Sequence, residues 1–576
     1  MTYLNRIITT TLRKTVLATA IGSAVISYVS GCSTNAVPVP TAPTATIPVA
    51  TTPAANIANE QATSIQKRSK VTANLDKESM KWFQDGAIEV AKNAQEVEDI
   101  INQRGRAKNI ILFVGDGMGI STVTASRILA GQNKGMMGEE NELSFDKMPF
   151  AGLIKTYNTN QQTPDSAGTA TAMLTGVKTK AGVLGVTDRA NRATCSGAHG
   201  EHGSELVTAL ELASMAGKAT GIVTTARLTH ATPAAAFAKT SERNWESDDK
   251  LTDEARANGC KDIATQFVES PYIDVAFGGG RRHFIADTVT DLEGKNGKRK
   301  DGKDLRQIWQ QKTGGVYVED QKGFDAIPNN AGKVLGLFNS SHMQYEADRK
   351  NDKAGEPSLT EMTTKAIDLL SRDKDGYFML VESGRIDHGH HAGSAYNALT
   401  DTIEFDHEVE AAMEKTSPED TLIIVTADHS HVFTMAGYPT RGNPILGKVV
   451  GNDKNGLPEP TPTLAKDDMP YTTLGYANGL GHRNFGSETN ADIVYNGPAE
   501  AGRKNITAFD TTASGYHQEA LVPLDSETHA GEDVGIYARG PGAHLVTSTS
   551  EQNEIFHIMN FAGDLIESAR RGVMAK

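Results

Sequence analysis

The sequence predicts an α/β protein: a doubly wound, mostly parallel sheet with helices on both faces. Three observations carry that expectation. Short β-rich runs alternate with helical stretches along most of the 576 residues, which argues for parallel strands joined by crossover helices. Some of the runs, such as residues 377–381, are apolar without interruption, as strands buried on both faces are. Acids and imidazoles gather just past the carboxyl ends of three runs, where open α/β sheets collect their ligands.

The amino terminus stands apart from that fold. Arg6, Arg13 and Lys14 precede an apolar, small-residue stretch at 16–29, the layout of a secretory signal. It ends in Val29-Ser30-Gly31-Cys32, which resembles a bacterial lipoprotein cleavage box. On that reading residues 1–31 are a signal peptide and Cys32 carries lipid; an ordinary signal with an incidental Cys is the alternative. Residues 32–66 are rich in Ala, Thr and Pro and nearly uncharged. Such a segment buries too little surface to fold and is expected to be an extended tether. No other segment is long and apolar enough to span a bilayer.

Residues 67–576 read as the folded domain. A helical pattern at 67–104 (Leu75, Met80, Trp82, Phe83, Ile88, Val90) leads into a first strand at 109–114. Further strands are expected at 219–225, 273–277, 334–338, 377–381 and 421–425, with helices at 205–216 and 359–371 among them. From 442 to 525 the sequence turns Gly-, Asn-, Pro- and Tyr-rich with weak periodicity. This predicts an irregular inserted subdomain, after which the chain returns to the core at Val522. No internal repeat is visible.

Hydrophobic content of 38%, charged content of 22% and a net charge of −14 describe a soluble acidic protein. Nucleic acid is a poor fit as partner, because phosphate backbones need clustered Lys and Arg. The basic run at 294–300 is short and reads as a solvated loop. With Cys32 lipidated, Cys195 and Cys260 remain. Export makes a disulfide the default, worth about 4 kcal/mol on the chain-entropy model; two buried thiols are the alternative.

The densest chemistry lies in Glu382-Ser-Gly-Arg-Ile-Asp387-His388-Gly-His390-His391, directly after an apolar run. Asp428-His429-Ser-His431 follows the run at 421–425, and Asp116 follows the run at 109–114. Asp, Glu and His are the oxygen and nitrogen ligands of zinc and magnesium, so a metal site shared among strand ends is the natural hypothesis. In Pro164-Asp165-Ser166-Ala-Gly168, Ser166 stands at the head of a small-residue helical stretch. It reads either as a helix cap or as a nucleophile whose phosphate target sits on the helix's positive end. A serine hydroxyl needs a base or a metal to activate it. No Gly-x-Ser-x-Gly surrounds Ser166, so a metal is the better candidate. His230 and Thr232 lie beyond the run at 219–225. Arg243 could grip a phosphate with two prongs or could be a surface ion-pairing residue. His529 stands among acids near the carboxyl end.

At this point the motifs resemble those of alkaline phosphatases, most closely the animal-type branch. The residues that carry the likeness are 115–119, 163–169, 382–391, 426–433 and 527–533, and it runs from about Trp82 to the end. The resemblance implies that Ser166 is a nucleophile that becomes a phosphoserine. It implies one zinc on Asp387, His391 and His529 and a second on Asp116, Asp428 and His429. Magnesium would sit on Asp116, Thr232 and Glu382, with Arg243 clamping phosphate. His230 and His388 would lie behind the magnesium ligands, and His390 and His431 would pack or orient. His482 and His517 are expected to be structural or exposed. The resemblance also pairs Cys195 with Cys260, makes residues 442–525 crown-like, and implies broad phosphate monoester substrates and a homodimer. Asn339 stands where the animal branch has a calcium-binding Glu, and residues 349–355 look inserted, which puts calcium in doubt. Location would be exported, on the periplasmic face of a membrane or the cell surface. A sulfatase would need Cys/Ser-x-Pro-x-Arg, which the residues after Ser166 lack. A diesterase would be expected to carry Thr at the nucleophile position and to lack the Arg243 context. Ser166 together with three complete metal sets argues against a surface lipoprotein that only stores metal or binds phosphate.

Overall fold

Strands occur in chain order as β1 (Asn109–Gly115), β2 (Phe150–Lys155), β3 (Ala219–Arg227), β4 (Val275–Gly279), β5 (Val316–Val318), β6 (Val334–Leu337), β7 (Tyr377–Ser383) and β8 (Thr421–Ala427). After them come β9 (Ser430–His431), β10 (Phe433–Met435), β11 (Leu474–Gly479), β12 (Arg483–Asn484), β13 (Tyr516–His517), β14 (Ala520–Pro523), β15 (His529–Ala530), β16 (Val534–Arg539) and β17 (Thr549–Glu551). The structure is a computed structural model that describes Glu98 and residues 107–195, 204–496, 498–499 and 502–574. The expected leader, tether, Cys32 and the helical stretch bearing Trp82 and Phe83 lie outside the described residues.

Ten strands form one sheet in the order β17-β2-β16-β8-β1-β7-β3-β4-β6-β5. Its pairs are parallel except at β16, which runs antiparallel to both β2 and β8. The sequence reason is plain in the centre: Ile110, Ile111, Leu112, Phe113 and Val114 are all fully buried. Successive strand residues point to opposite faces, so helices must cover both. All six expected strands form, within two residues of their expected ends. β2, which was not expected, alternates half-buried and exposed positions over Phe150 to Leu153, near one edge of the sheet. Helix Leu359–Leu370 starts at a capping box in which Ser358 and Glu361 satisfy each other's backbone amides. Helix Ala209–Met215 is shorter than expected because its box, Thr208 with Glu211, sets a later start.

Two details of the sequence reading need correction. Val522 is not where the chain returns to the core. It lies on β14 in a separate three-stranded sheet, β10-β11-β14, and is 48% exposed; the main sheet resumes at β16. Arg299 of the basic run is buried, not solvated, and donates to Asp262 and Asp301. The small sheet packs through Phe433, Leu474 and Tyr476 against Ala125, Ile128 and Leu129 of helix Ile120–Asn133 and against Leu399. Cys195 and Cys260 are disulfide-bonded in a pocket shared with Trp245 and Ala255.

Candidate active site

Strand register builds the floor of the site. Gly115 of β1 is level with Ser383 of β7 and with Ala427 of β8. Asp116 and Asp428, one residue further on, therefore leave the sheet side by side. Glu382 is level with Val114 on one side and Thr224 on the other, and it accepts a hydrogen bond from the Thr224 hydroxyl. Gly117 takes a left-handed φ of 72°, and its amide donates to Asp428 Oδ1 at 2.9 Å. A side chain there would collide with His431, so only Gly fits.

Asp387 and His391 sit on helix Arg385–His391, which follows β7 at once. Their spacing of four residues puts both on one helical face. His529 arrives from far along the chain on β15, whose two residues pair with β9. The ligand atoms converge. His391 Nε2 lies 3.2 Å from Asp387 Oδ1, His529 Nε2 lies 3.4 Å from the same oxygen, and the two nitrogens are 3.2 Å apart. In the second set His429 Nε2 is 3.4 Å from Asp116 Oδ1 and 3.2 Å from Asp428 Oδ2. Bonds of about 2.0–2.2 Å to a tetrahedral zinc would place ligand atoms about 3.3–3.6 Å apart. Both sets are close to that spacing.

Charge and protonation fit the same conclusion. His391 Nδ1 donates to the Glu527 carbonyl at 2.6 Å and His529 Nδ1 to the Pro164 carbonyl at 2.8 Å, which leaves both Nε2 lone pairs free. Burial holds His429 neutral, well below its ordinary pKa. Burial opposes charge on Asp387, but His391, His431 and His529 hold its carboxyl well below the usual range. Asp116 goes the other way: burial, then Asp428, Asp387 and Glu382, push it well above. Glu382 is pushed up to about 7, chiefly by burial. Both oxygens of Asp116, Asp428 Oδ2, Glu382 Oε1 and Thr232 Oγ1 are buried without a hydrogen-bond partner. Orphaned buried carboxylates packed together are costly unless cations join them. This donor set fits divalent metals.

Ser166 opens helix Ser166–Thr175 but does not cap it. The cap is Asp165, whose carboxylate accepts from the Gly168 amide at 3.2 Å. That leaves the Ser166 hydroxyl free to face His429 Nε2 at 3.1 Å. Asp165 also takes Arg243 Nη1 at 2.6 Å, while Arg243 Nη2 meets His230 Nε2 at 3.2 Å. Arg243 is thus largely buried and aimed at the site rather than spread on the surface.

The structure separates the remaining imidazoles. His390 is occupied at both nitrogens, by Thr122 Oγ1 and the Tyr476 hydroxyl, each at 2.9 Å. His431 bridges Asp387 and Glu527 at 2.9 and 2.6 Å. His517 is buried and donates to the Ala392 carbonyl, and His482 packs against Phe509 and Tyr516. His230 and His388 stand together with His342, which sequence reasoning missed. Asp165 and Glu527 were also missed as partners, although both lie inside quoted motifs. An acid directly before a helix-opening Ser is a recognisable cap signal; nothing local marks Glu527.

Comparison with known proteins places this geometry. Residues 107–565 match the family model described as alkaline phosphatase. The chain is 44% identical over 500 residues to the tissue-nonspecific alkaline phosphatase isozyme of Gallus gallus, covering 84% of this chain and 90% of that protein. It is 43% identical over 494 residues to the Homo sapiens isozyme, covering 84% and 88%. Among solved structures it is similar to alkaline phosphatase from Thermus thermophilus, with a TM-score of 0.54 and 25% identity over 83% of this chain and 98% of that one. The enzyme of the Antarctic bacterium TAB5 shares the fold, with a TM-score of 0.52 and 22% identity over 80% and 99%.

Proposed function

The chain belongs to the alkaline phosphatase family, and from that premise we propose that Ser166 is the nucleophile of its metal-dependent phosphomonoester hydrolysis. The observation that carries the assignment is the position of the Ser166 hydroxyl, 3.1 Å from His429 Nε2 and at the first turn of a helix. Asp387, His391 and His529 would hold one zinc, Asp116, Asp428 and His429 a second, and Asp116, Thr232 and Glu382 a magnesium. When bound, such ions supply charge that lowers the pKa of Ser166 and of a water and stabilises the attacking and leaving oxygens.

The chain's own residues do the rest. Ser166 Oγ gives its proton to solvent and attacks phosphorus, the P–O bond to the alcohol breaks, and the alcohol leaves with a proton from solvent. Water then attacks the phosphoserine phosphorus, the Oγ–P bond breaks, inorganic phosphate leaves and Ser166 Oγ takes back a proton. Arg243, already oriented by Asp165, binds the non-bridging phosphate oxygens with both prongs. His230 and His388 stand behind the magnesium ligands. The grip is on the phosphoryl group, which supports broad specificity for the alcohol.

The same reading covers the chain outside the site. Residues 1–31 are a lipoprotein signal, Cys32 the anchor, 32–66 a tether and 67–576 the catalytic domain with a crown-like insertion at 442–525. The enzyme is an exported homodimer, on the periplasmic face of a membrane or the cell surface. Export is supported by the Cys195–Cys260 disulfide. Among the described residues no helix is long and apolar enough to cross a membrane.

The test is an assay on a phosphate monoester, a diester and a sulfate ester, with and without chelator. Monoester activity that vanishes with chelation and in Ser166→Ala is expected. Full activity after complete zinc removal, or in Ser166→Ala, overturns the assignment.

A further inference from the structure

Glu527 belongs to none of the three ligand sets, yet it is buried and in contact with the first of them. Its carboxylate accepts from His431 Nδ1 at 2.6 Å and from the Val432 amide at 2.9 Å. Through His431 Nε2 that link continues to Asp387 Oδ1, 2.9 Å away. Its carbonyl accepts from His391 Nδ1 at 2.6 Å, and its amide donates to the His391 carbonyl at 3.1 Å. Two residues further on is His529. The segment itself is pinned: Thr528 and Asn478 exchange two hydrogen bonds, and Gly479 lies close against the Glu527 backbone.

We infer that Glu527 is a positioning residue that orients two ligands of the first metal site at once, His391 through its carbonyl and Asp387 through its carboxylate and His431. A histidine that ligates through Nε2 must donate Nδ1 elsewhere, and the acceptor fixes the angle of the ring. A carboxylate that must offer one oxygen to an ion is held best when a donor fixes its plane. Glu527 supplies the first acceptor and anchors the second donor. The second metal set has no comparable dependence on it, because Asp116, Asp428 and His429 are placed by β1 and β8.

This inference rests on Asp387, His391 and His529 holding a metal. The experiment is zinc titration of the full chain, stripped of metal, against a chromophoric chelator. In Glu527→Gln, which keeps the shape and removes the charge, affinity at one of the two zinc sites should fall about 10- to 100-fold, the usual cost of losing such an outer partner. Affinity at the other site should be unchanged. His431→Gln breaks the same link without touching residue 527 and should give the same one-site loss, with the double variant no worse than either alone. Parent-like zinc binding in Glu527→Gln overturns the inference, as does an equal loss at both sites accompanied by a lower melting temperature of the stripped protein. Asp387→Asn separates the two levels: if it loses zinc while Glu527→Gln does not, only the positioning role fails, and if it too binds normally, the metal assignment fails.

Discussion

The two proposed metal-ligand sets are made of the same residue types by different construction. Asp116, Asp428 and His429 sit at the ends of two adjacent parallel strands and are fully buried. Asp387 and His391 ride a seven-residue helix, and His529 is brought in on a two-residue strand. The side chains of His391 and His529 keep 23% and 17% exposure. One set is thus fixed by the sheet and closed to water, and the other hangs from shorter elements and faces solvent. The difference teaches that the site is stiff on the side of the proposed nucleophile Ser166 and more open on the side of His391 and His529.

Breaking the stiff side should cost most. Asp116→Ala removes the residue proposed as a ligand of both the second zinc and magnesium, so kcat should fall by at least about 10³-fold with loss of more than one metal per chain; elemental analysis beside the assay checks this. His529→Ala strikes the open side. We expect roughly a 10²-fold loss of activity, with the second set still loaded and partial recovery at high zinc. Equal metal loss in both variants would erase the distinction. Arg243→Ala touches neither set and should weaken inhibition by inorganic phosphate about 10- to 100-fold, the worth of a charge-assisted hydrogen-bond pair, with metal content intact.

Chelation should expose Glu382, beside the stiff set, in a pH-dependent way. Without metal, Glu382 titrates near 7 instead of 4.5, so between those values the folded state holds a proton that the unfolded state has lost. The stability from that group is complete below about pH 4.5 and falls away as pH rises through about 7. Urea midpoints of chelated protein should decline across that window more steeply than those of loaded protein. The smallest effect is expected from Tyr476→Phe, which removes one hydrogen bond to His390 and should cost about 1 kcal/mol, read as a lower melting temperature with near-normal activity.

Legibility in the sequence divides along the same line. The central strands were readable because Ile110 to Val114 and Thr421 to Val425 are unbroken β-rich runs, and the acids just past them could be read as ligands. The role of His529 came only from family resemblance, since nothing near it predicts which distant helix it will meet. β2 and β16 were not read, although each is longer than β4 and β6, which were. Ser166 looked like a cap because its residue type suits one; the hydrogen bond of Asp165 to Gly168 settles which of the two neighbours caps.

The shared level of Gly115, Ser383 and Ala427 has a consequence for how this enzyme can vary. Each strand advances about 3.3 Å per residue, whereas a metal–ligand distance tolerates about 0.2 Å. The three central strands therefore act as a ruler whose smallest division is more than ten times the permitted error. A residue gained or lost within β1, β7 or β8 cannot be absorbed by relaxation, while the mostly exposed residues 453–468 can lengthen, shorten or change character without moving the marks.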